Sequence, residues 1–469
     1  MNAKSASAGT QEEALRFRRA IGFTLLGLWS LWVGPAAAQS AATFSVSGDQ
    51  ALSYPASIQY LPDEHVTVLP AAGPAAARAV DAPRDFFVAM SNRVGAAHWG
   101  DAFVLRSSDF RHFDFAPGFG DARRGHAVFW PAHPAGGSCA HPGVTHFDEQ
   151  YAAPGSVVQD PTLPPGNLIM VYEAEIHCPQ SSKGMAAGWV SIGIARSADG
   201  GRSWPPPVAQ KGYEGDWLEY GDGRYAGVTL PGAPPKKAFD AFYGDALPSA
   251  FVDDRDPTGQ FYLYVAYQFT GAPGAEADAR IHVARAWLGD RSGHRESGQL
   301  HFFKWRAGGW TQKGRGGSED GASPPCGASY GEGGPQIAYD DALRRYVMTF
   351  VCTTYVCPSP GKCEATEDSL FFATATSLAK QDWSPARKIE RSTYRRVNRP
   401  DGGWIVDGGY PSFVSPGCKP GHLGLTGSVF LLKGDPLGDR RFVSRSFAIK
   451  PAAPWVADPA ASANGCERN

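Results

Sequence analysis

Four acidic residues stand ahead of a recurring proline phrase: Asp160, Asp245, Glu332 and Asp407. The phrase is a proline, a small or polar residue and an apolar strand start. It reads Tyr54-Pro55-Ala56-Ser57-Ile58, Asp160-Pro161-Thr162-Leu163, Leu247-Pro248-Ser249-Ala250-Phe251, Gly334-Pro335-Gln336-Ile337 and Tyr410-Pro411-Ser412-Phe413. Carboxylates brought from separate segments into one partly dry cavity push each other's pKa values apart, so one serves as acid while another stays ionised. Cleavage of a glycosidic bond needs such a pair. The plainer reading of each acid is turn formation or strand-entry capping, since Asp and Gly before Pro is ordinary turn chemistry.

The phrases are also a repeat. Their prolines lie 106, 87, 87 and 76 residues apart, and each is followed by further runs of β-branched and aromatic residues. A long-period repeat of short strands predicts an all-β propeller, here with five blades. Six blades is the alternative, because the first spacing is long enough to hide a degenerate one. The second blade is the clearest, with strands expected at 167–173 and 188–195. In the third they are expected at 248–252, 260–267, 281–286 and 300–305. Phrase starts at 55, 161, 248, 335 and 411 are read as the inner strands, whose entrances would line one end of a central funnel. The fifth blade is short, so ring closure is expected to borrow an N-terminal strand near 43–46, hiding an open edge. A Gly-, Pro- and His-rich stretch near 120–155 reads as an insertion overhanging one face.

Composition bounds the rest. Arg16, Arg18 and Arg19 precede an apolar run from Ile21 to Gly34, then Ala36-Ala37-Ala38. This reads as a signal peptide over 1–38, leaving a single propeller domain over 39–469 and a periplasmic or secreted protein without a membrane span after cleavage. Net charge is −2 and no basic cluster occurs, which argues against a nucleic-acid partner. The eight cysteines all follow the leader, and disulfides are the expectation for an exported chain. Cys352, Cys357 and Cys363 leave a zinc site as the alternative; pairing between Cys139 and Cys178 would staple the insertion. The protein is expected to be monomeric.

Ser197-Ala198-Asp199-Gly200-Gly201-Arg202-Ser203-Trp204 resembles the Asp-box hairpin of sialidases and related propellers, with Ser203 for Thr. That resemblance implies a structural Asp199. The order Asp160, Asp245, Glu332 on successive blades resembles the five-bladed furanosidase-type glycoside hydrolases, the arabinanase/xylosidase and invertase/levansucrase groups. It implies Asp160 as base or nucleophile, Asp245 as pKa modulator and Glu332 as general acid. It further implies a carbohydrate substrate, no required cofactor, and a structural Ca²⁺ as a candidate held by oxygen ligands. The chain departs from that family in offering Tyr54 where the first blade should carry Asp. Asp407, Trp99, Tyr330 and Trp404, near strand mouths, are expected to bind substrate; Trp217 and Tyr220 lie in similar loops. His98, His146 and His177 read as structural, and Glu173 and Glu175 as a solvated or hydrogen-bonded face. The expected function is an exported hydrolase of a furanoside or related glycan. The alternatives are a non-catalytic glycan-binding propeller and a sialidase-like exo-glycosidase, for which Arg93, Arg106 and Arg285 are available.

Overall fold

The computed structural model describes residues 42–58, 61–70, 82–89, 100–132, 147–178, 187–206, 223–229, 242–270, 280–317, 321, 326, 330–359, 362–395, 397–398, 404–434, 440–451 and 466. The expected leader, Trp99, Cys139, His98 and His146 lie outside them. The chain opens with β1 (Thr43–Val46) and β2 (Gln50–Ala51). A first antiparallel meander follows: β3 (Thr67–Val68), β4 (Arg84–Ala89), β5 (Ala102–Ser107) and β6 (Asp114–Phe115). The second is β7 (Tyr151–Gln159), β8 (Leu168–Cys178), β9 (Ala187–Ser197) and β10 (Tyr225–Val228). The third has a fifth strand: β11 (Phe242–Asp253), β12 (Gln260–Thr270), β13 (Ile281–Asp290), β14 (Phe302–Arg306) and β15 (Gly309–Lys313). The fourth is β16 (Tyr330–Asp340), β17 (Arg345–Ser359), β18 (Lys362–Ala375) and β19 (Arg387–Arg395). After β20 (Val397–Asn398) come β21 (Trp404–Val414), β22 (His422–Leu423), β23 (Thr426–Gly434) and β24 (Arg440–Lys450). Strands β21, β23 and β24 form a fifth meander that β1 completes, Thr43 to Val46 pairing antiparallel with Lys450 to Phe447.

Side-chain alternation explains why these meanders stack. Along β8, Leu168, Met170, Tyr172, Ala174 and Ile176 face the first meander, while Ile169 and Val171 face the third. Strands buried on both faces are apolar at successive positions rather than alternating with polar ones. Among the described residues the same division gives an apolar core between each pair of neighbouring meanders, including one between the fifth and the first. Phe44 of the closing strand stacks on Phe372 of the fourth meander at 4.1 Å. The all-β chain is a propeller, its only described helical turn being a short 3₁₀ segment over Ala122–Arg124.

The inner strands β3, β7, β11, β16 and β21 are tied into a ring. Ala250 N–H donates to Ser156 Oγ (2.9 Å), Ile337 N–H to Ser249 Oγ (3.3 Å), Phe413 N–H to Gln336 Oε1 (2.6 Å) and Val66 N–H to Ser412 Oγ (2.8 Å). Thr67 Oγ1 completes the circuit by donating to Gly155 O at 3.3 Å. Gly155 is required there: a Cβ would sit 1.9 Å from Pro248 O of the next inner strand.

The proline phrase has a different role from the one expected. In β11, β16 and β21 the proline lies inside the inner strand, where the pairing register slips, rather than at its start. It marks a β-bulge, which kinks a strand and redirects its side chains. The corresponding slip in β7 is at Pro154, not Pro161. Pro161 follows the strand's far end. The Tyr54-Pro55 phrase lies beside the fourth strand of its meander, where Ser53 bonds to Arg111 and Phe113. Thus the first two phrases do not begin inner strands.

Sharp turns after the third strands are built on aspartates. Asp109 accepts from Arg111 and His112 N–H, Asp199 from Ser203 N–H and Oγ, Asp290 from Ser292 and His294 N–H, and Asp382 from Thr376 and Ser377 N–H. The fifth meander takes its fourth strand from the other end of the chain and needs no such turn. Trp204 closes the Asp199 hairpin, edge-on to Phe87 at 5.9 Å. Disulfides join Cys326 to Cys352 and Cys418 to Cys466. Cys352 is therefore not a zinc ligand; the side chains of Cys178, Cys357 and Cys363 lie outside the described residues. No described helix is long and apolar enough to cross a membrane.

Candidate functional site

The entrance to β3 carries Asp63 and Glu64, and β8 carries Glu173 and Glu175; all four are buried. Glu173 and Glu175 continue the stripe of Ile169 and Val171 towards the third meander, because side chains two apart share a strand face. Glu173 Oε2 accepts Leu247 N–H from the third inner strand at 2.5 Å. Tyr151 stands opposite Glu175 across the β7–β8 ladder, and its hydroxyl donates to Asp63 O at 2.6 Å. Asp63 is ion-paired with Arg440 of the fifth meander, whose guanidinium also donates to Pro62 O (3.0 Å) and lies 5.8 Å from the Tyr410 ring. Four meanders therefore contribute to one acidic pit.

The carboxyls of Glu64, Glu173 and Glu175 are joined in a line by hydrogen bonds. Two carboxyl groups in hydrogen-bond contact need a proton between them. Glu64 Oε2 accepts His65 N–H at 2.9 Å, while its buried Oε1 meets no N–H or O–H donor among the described residues. Burial, then the charge of Glu173, holds the Glu64 proton well above the usual carboxylate range. Burial and the Glu175 contact do the same at Glu173. Glu175 is pushed up to about 7, chiefly by burial. Burial also raises the phenols of Tyr151 and Tyr410, helped by Asp63. His65 forms the floor beside Glu64. Its Nδ1 is 3.1 Å from Pro411 O, and burial lowers its pKa to about 4, so the ring is neutral at pH 7.

The acids singled out from the proline phrases are placed elsewhere. Asp160 lies past the far end of β7, where Oδ1 accepts from Thr162 N–H and Oγ and Oδ2 pairs with Arg196 at 2.7 Å. Ser156 is level with Ala250, so Asp160 and Asp245 are separated by about nine residues of strand, roughly 30 Å at 3.3 Å per residue. A glycosidic pair spans less than about 10 Å. The physical reason is the misplaced proline: Pro161 follows an inner strand, whereas Pro248 and Pro335 interrupt one. Asp245 is buried in the wall, 3.5 Å from the buried Lys304 ammonium, which also donates to Thr229 O. Glu332 is buried too, accepting from Cys326 N–H at 3.1 Å and Ile281 N–H at 3.4 Å. Asp407, Trp404 and Tyr330 lie near the starts of inner strands β21 and β16, as read from the sequence, but their side chains lie outside the described residues. Arg106 pairs with Asp85 at 2.7 Å in the first meander, and Arg285 is stacked on Tyr262 and Trp310 in the third. They do not converge as an anion-binding cluster; Arg93 lies outside the described residues.

Asp63 and Glu64 are the residues that sequence reasoning passed over, and it read Glu173 and Glu175 as a solvated or hydrogen-bonded face. The signal for the latter pair was the core-facing stripe of Ile169 and Val171 turning acidic at the end of β8. As for a cation, the pit carboxyls form a line and not a cage. Among the described residues, three His, Cys, Asp or Glu donor atoms lie within 4.8 Å of one another only at Asp341, Cys418 and Cys466, whose sulfurs form a disulfide.

No protein-family model matches the chain, and no curated protein matches it. Several solved structures follow a similar path. An N-acetylgalactosamine deacetylase from F. plautii has 13% identity and a TM-score of 0.41, covering 88% of this chain and 95% of that one. The catalytic domain of a Coprinopsis cinerea GH62 alpha-L-arabinofuranosidase has 12% identity and a TM-score of 0.39, covering 88% and 99%. A Cellvibrio cellulosa alpha-L-arabinanase has 10% identity and a TM-score of 0.36, covering 83% and 92%. At these values function does not transfer by likeness, and the site rests on its own chemistry.

Proposed function

We propose that this protein is a glycoside hydrolase of a furanoside or related glycan, with Glu64, Glu173 and Glu175 as the centre of its active site. The observation that carries this reading is the group of buried carboxyls Glu64, Glu173 and Glu175, close enough to shift one another's pKa values. A general acid works best with a pKa near the operating pH, and Glu175 has one. In this reading Glu175 gives its proton to the leaving glycosidic oxygen as the C–O bond breaks. Glu173 and Glu64 resupply it along the line. Asp63, paired with Arg440, is the second carboxylate that glycoside cleavage requires, taking a proton from the water whose oxygen forms the new bond to the anomeric carbon. The disulfides fit an oxidising compartment and so an exported chain.

The test is Glu175→Gln assayed on aryl α-L-arabinofuranoside and aryl β-D-galactopyranoside. Turnover should fall about 10²–10⁴-fold, the usual worth of a positioned acid, and the basic limb of the pH profile should vanish while the variant stays at least as stable as wild type. If Glu332→Gln or Asp245→Asn is the inactive variant and Glu175→Gln is active, the assignment moves to the wall acids. The non-catalytic reading draws on Asp245 and Glu332 being held by wall groups. Oligosaccharide binding by the wild type without product release would favour it.

A further inference from the structure

The residue before the inner-strand proline is left-handed in three successive meanders: Leu247 at φ 51°, Gly334 at φ 52° and Tyr410 at φ 53°. Glycine takes that conformation freely, whereas Leu and Tyr meet steric resistance between Cβ and the backbone. A residue before proline is moreover driven towards extended backbone. The three positions share one geometry, so Gly334 is an internal comparison: the bulge needs the conformation and is satisfied by glycine. The side chains at Leu247 and Tyr410 are therefore retained against local strain, and such strain collects where a site requires it.

Both residues meet the acidic pit. Leu247 directs its N–H onto Glu173. The Tyr410 ring lies beside Arg440, and its phenol is in the field of Asp63, Glu64 and Glu173. Both residues are half-buried. At Gly334 an added Cβ would meet only Pro411 Cδ at 3.4 Å and Val351 Cγ2 at 4.0 Å, ordinary contact distances, so space does not force a glycine there.

We propose that Leu247 and Tyr410 are the substrate-contacting jaws of the pit, gripping the apolar face of one sugar ring, and that the glycan extends over the open position at Gly334. This rests on the reading of the pit as a glycosidase site. Aromatic and aliphatic residues beside carboxyls suit a neutral sugar, which offers C–H faces to apolar side chains and hydroxyls to the acids.

The experiment compares Tyr410→Gly, Tyr410→Phe, Leu247→Gly and Gly334→Leu with wild type, using calorimetric titration of α-1,5-arabinotriose and β-1,3-galactotriose and thermal melting. For whichever trisaccharide wild type binds, Tyr410→Gly and Leu247→Gly should weaken binding at least tenfold while melting within a few degrees of wild type. Tyr410→Phe should keep most of the affinity. Gly334→Leu should weaken the trisaccharide more than the matching monosaccharide aryl glycoside. Wild-type affinity in both glycine variants overturns the jaws, and leaves the pit standing if Glu175→Gln is inactive. A wild type that binds and cleaves neither glycan overturns both proposals.

Discussion

The backbone N–H of Val66 donates to Ser412 Oγ at 2.8 Å, joining residues 346 apart in sequence. With the His65 Nδ1 contact to Pro411 O, it joins the last inner strand to the first. Each neighbouring pair of inner strands has its own version, and the acceptor changes only at Gln336 and Gly155. A ring closed this way holds its central side chains against small displacements, which acid–base geometry requires.

Ser412→Ala should therefore cost about 1–3 kcal/mol, since it strands a buried N–H without a partner. Urea titration monitored by tryptophan fluorescence reads the loss as a lower midpoint. An unchanged midpoint would mean the hydroxyl does not hold the seam.

Closure at the outer edge rests on β1. Phe44 is buried, stacked on Phe372, and its strand pairs with β24 on one side and β19 on the other. Phe44→Ala should cost about 3–5 kcal/mol, the usual range for an aromatic removed from a core. Hydrogen exchange should rise first along Phe447 to Lys450, the partner segment. A uniform rise across the chain would instead show that β1 contributes no separate edge.

Much of this architecture is legible in the sequence, because it is written in periodicity. Runs such as Leu168 to Tyr172, short and apolar at every position, suit strands buried on both faces, and stacked meanders are what bury them. Thr43 to Val46 reads as a closing strand and is one. The site is less legible for a physical reason. A proline looks the same whether it starts a strand, follows one, or interrupts one at a bulge. Pro161 and Pro248 do the second and third, and so Asp160 and Asp245 part company. Glu173 and Glu175 alternate as an exposed face would. What buries them is Leu247, Tyr151 and the Asp63–Arg440 pair, all distant in sequence.

Asp160 makes a direct test of that distinction. Asp160→Ala removes the acceptor for Thr162 and the partner of Arg196 at the far end of β7. The loss in stability should be about 1–3 kcal/mol, and any turnover of the folded protein on an aryl glycoside should stay within twofold of wild type. A hundredfold fall in turnover would return Asp160 to the chemistry.

The pit should also set how stability depends on pH. Glu175 has its folded pKa raised from 4.5 to about 7. Between those values the folded chain keeps a proton that the unfolded chain has lost, so stability declines as pH rises through this window. At about 1.4 kcal/mol per unit the decline approaches about 3.5 kcal/mol, complete near pH 7 and absent below 4.5. Glu64 and Glu173 are shifted in the same direction, chiefly by burial, and add to the decline. Asp340, buried on the fourth meander and also raised to about 7, adds a similar slope from outside the pit. The comparison that isolates the pit is wild type against Glu175→Gln, unfolded by urea at intervals from pH 5 to 8. The variant has no proton to lose at that position, so it should gain about 2–3 kcal/mol on wild type across the range. Parallel curves would show that Glu175 titrates alike in folded and unfolded chains, and with that the poised acid would be gone.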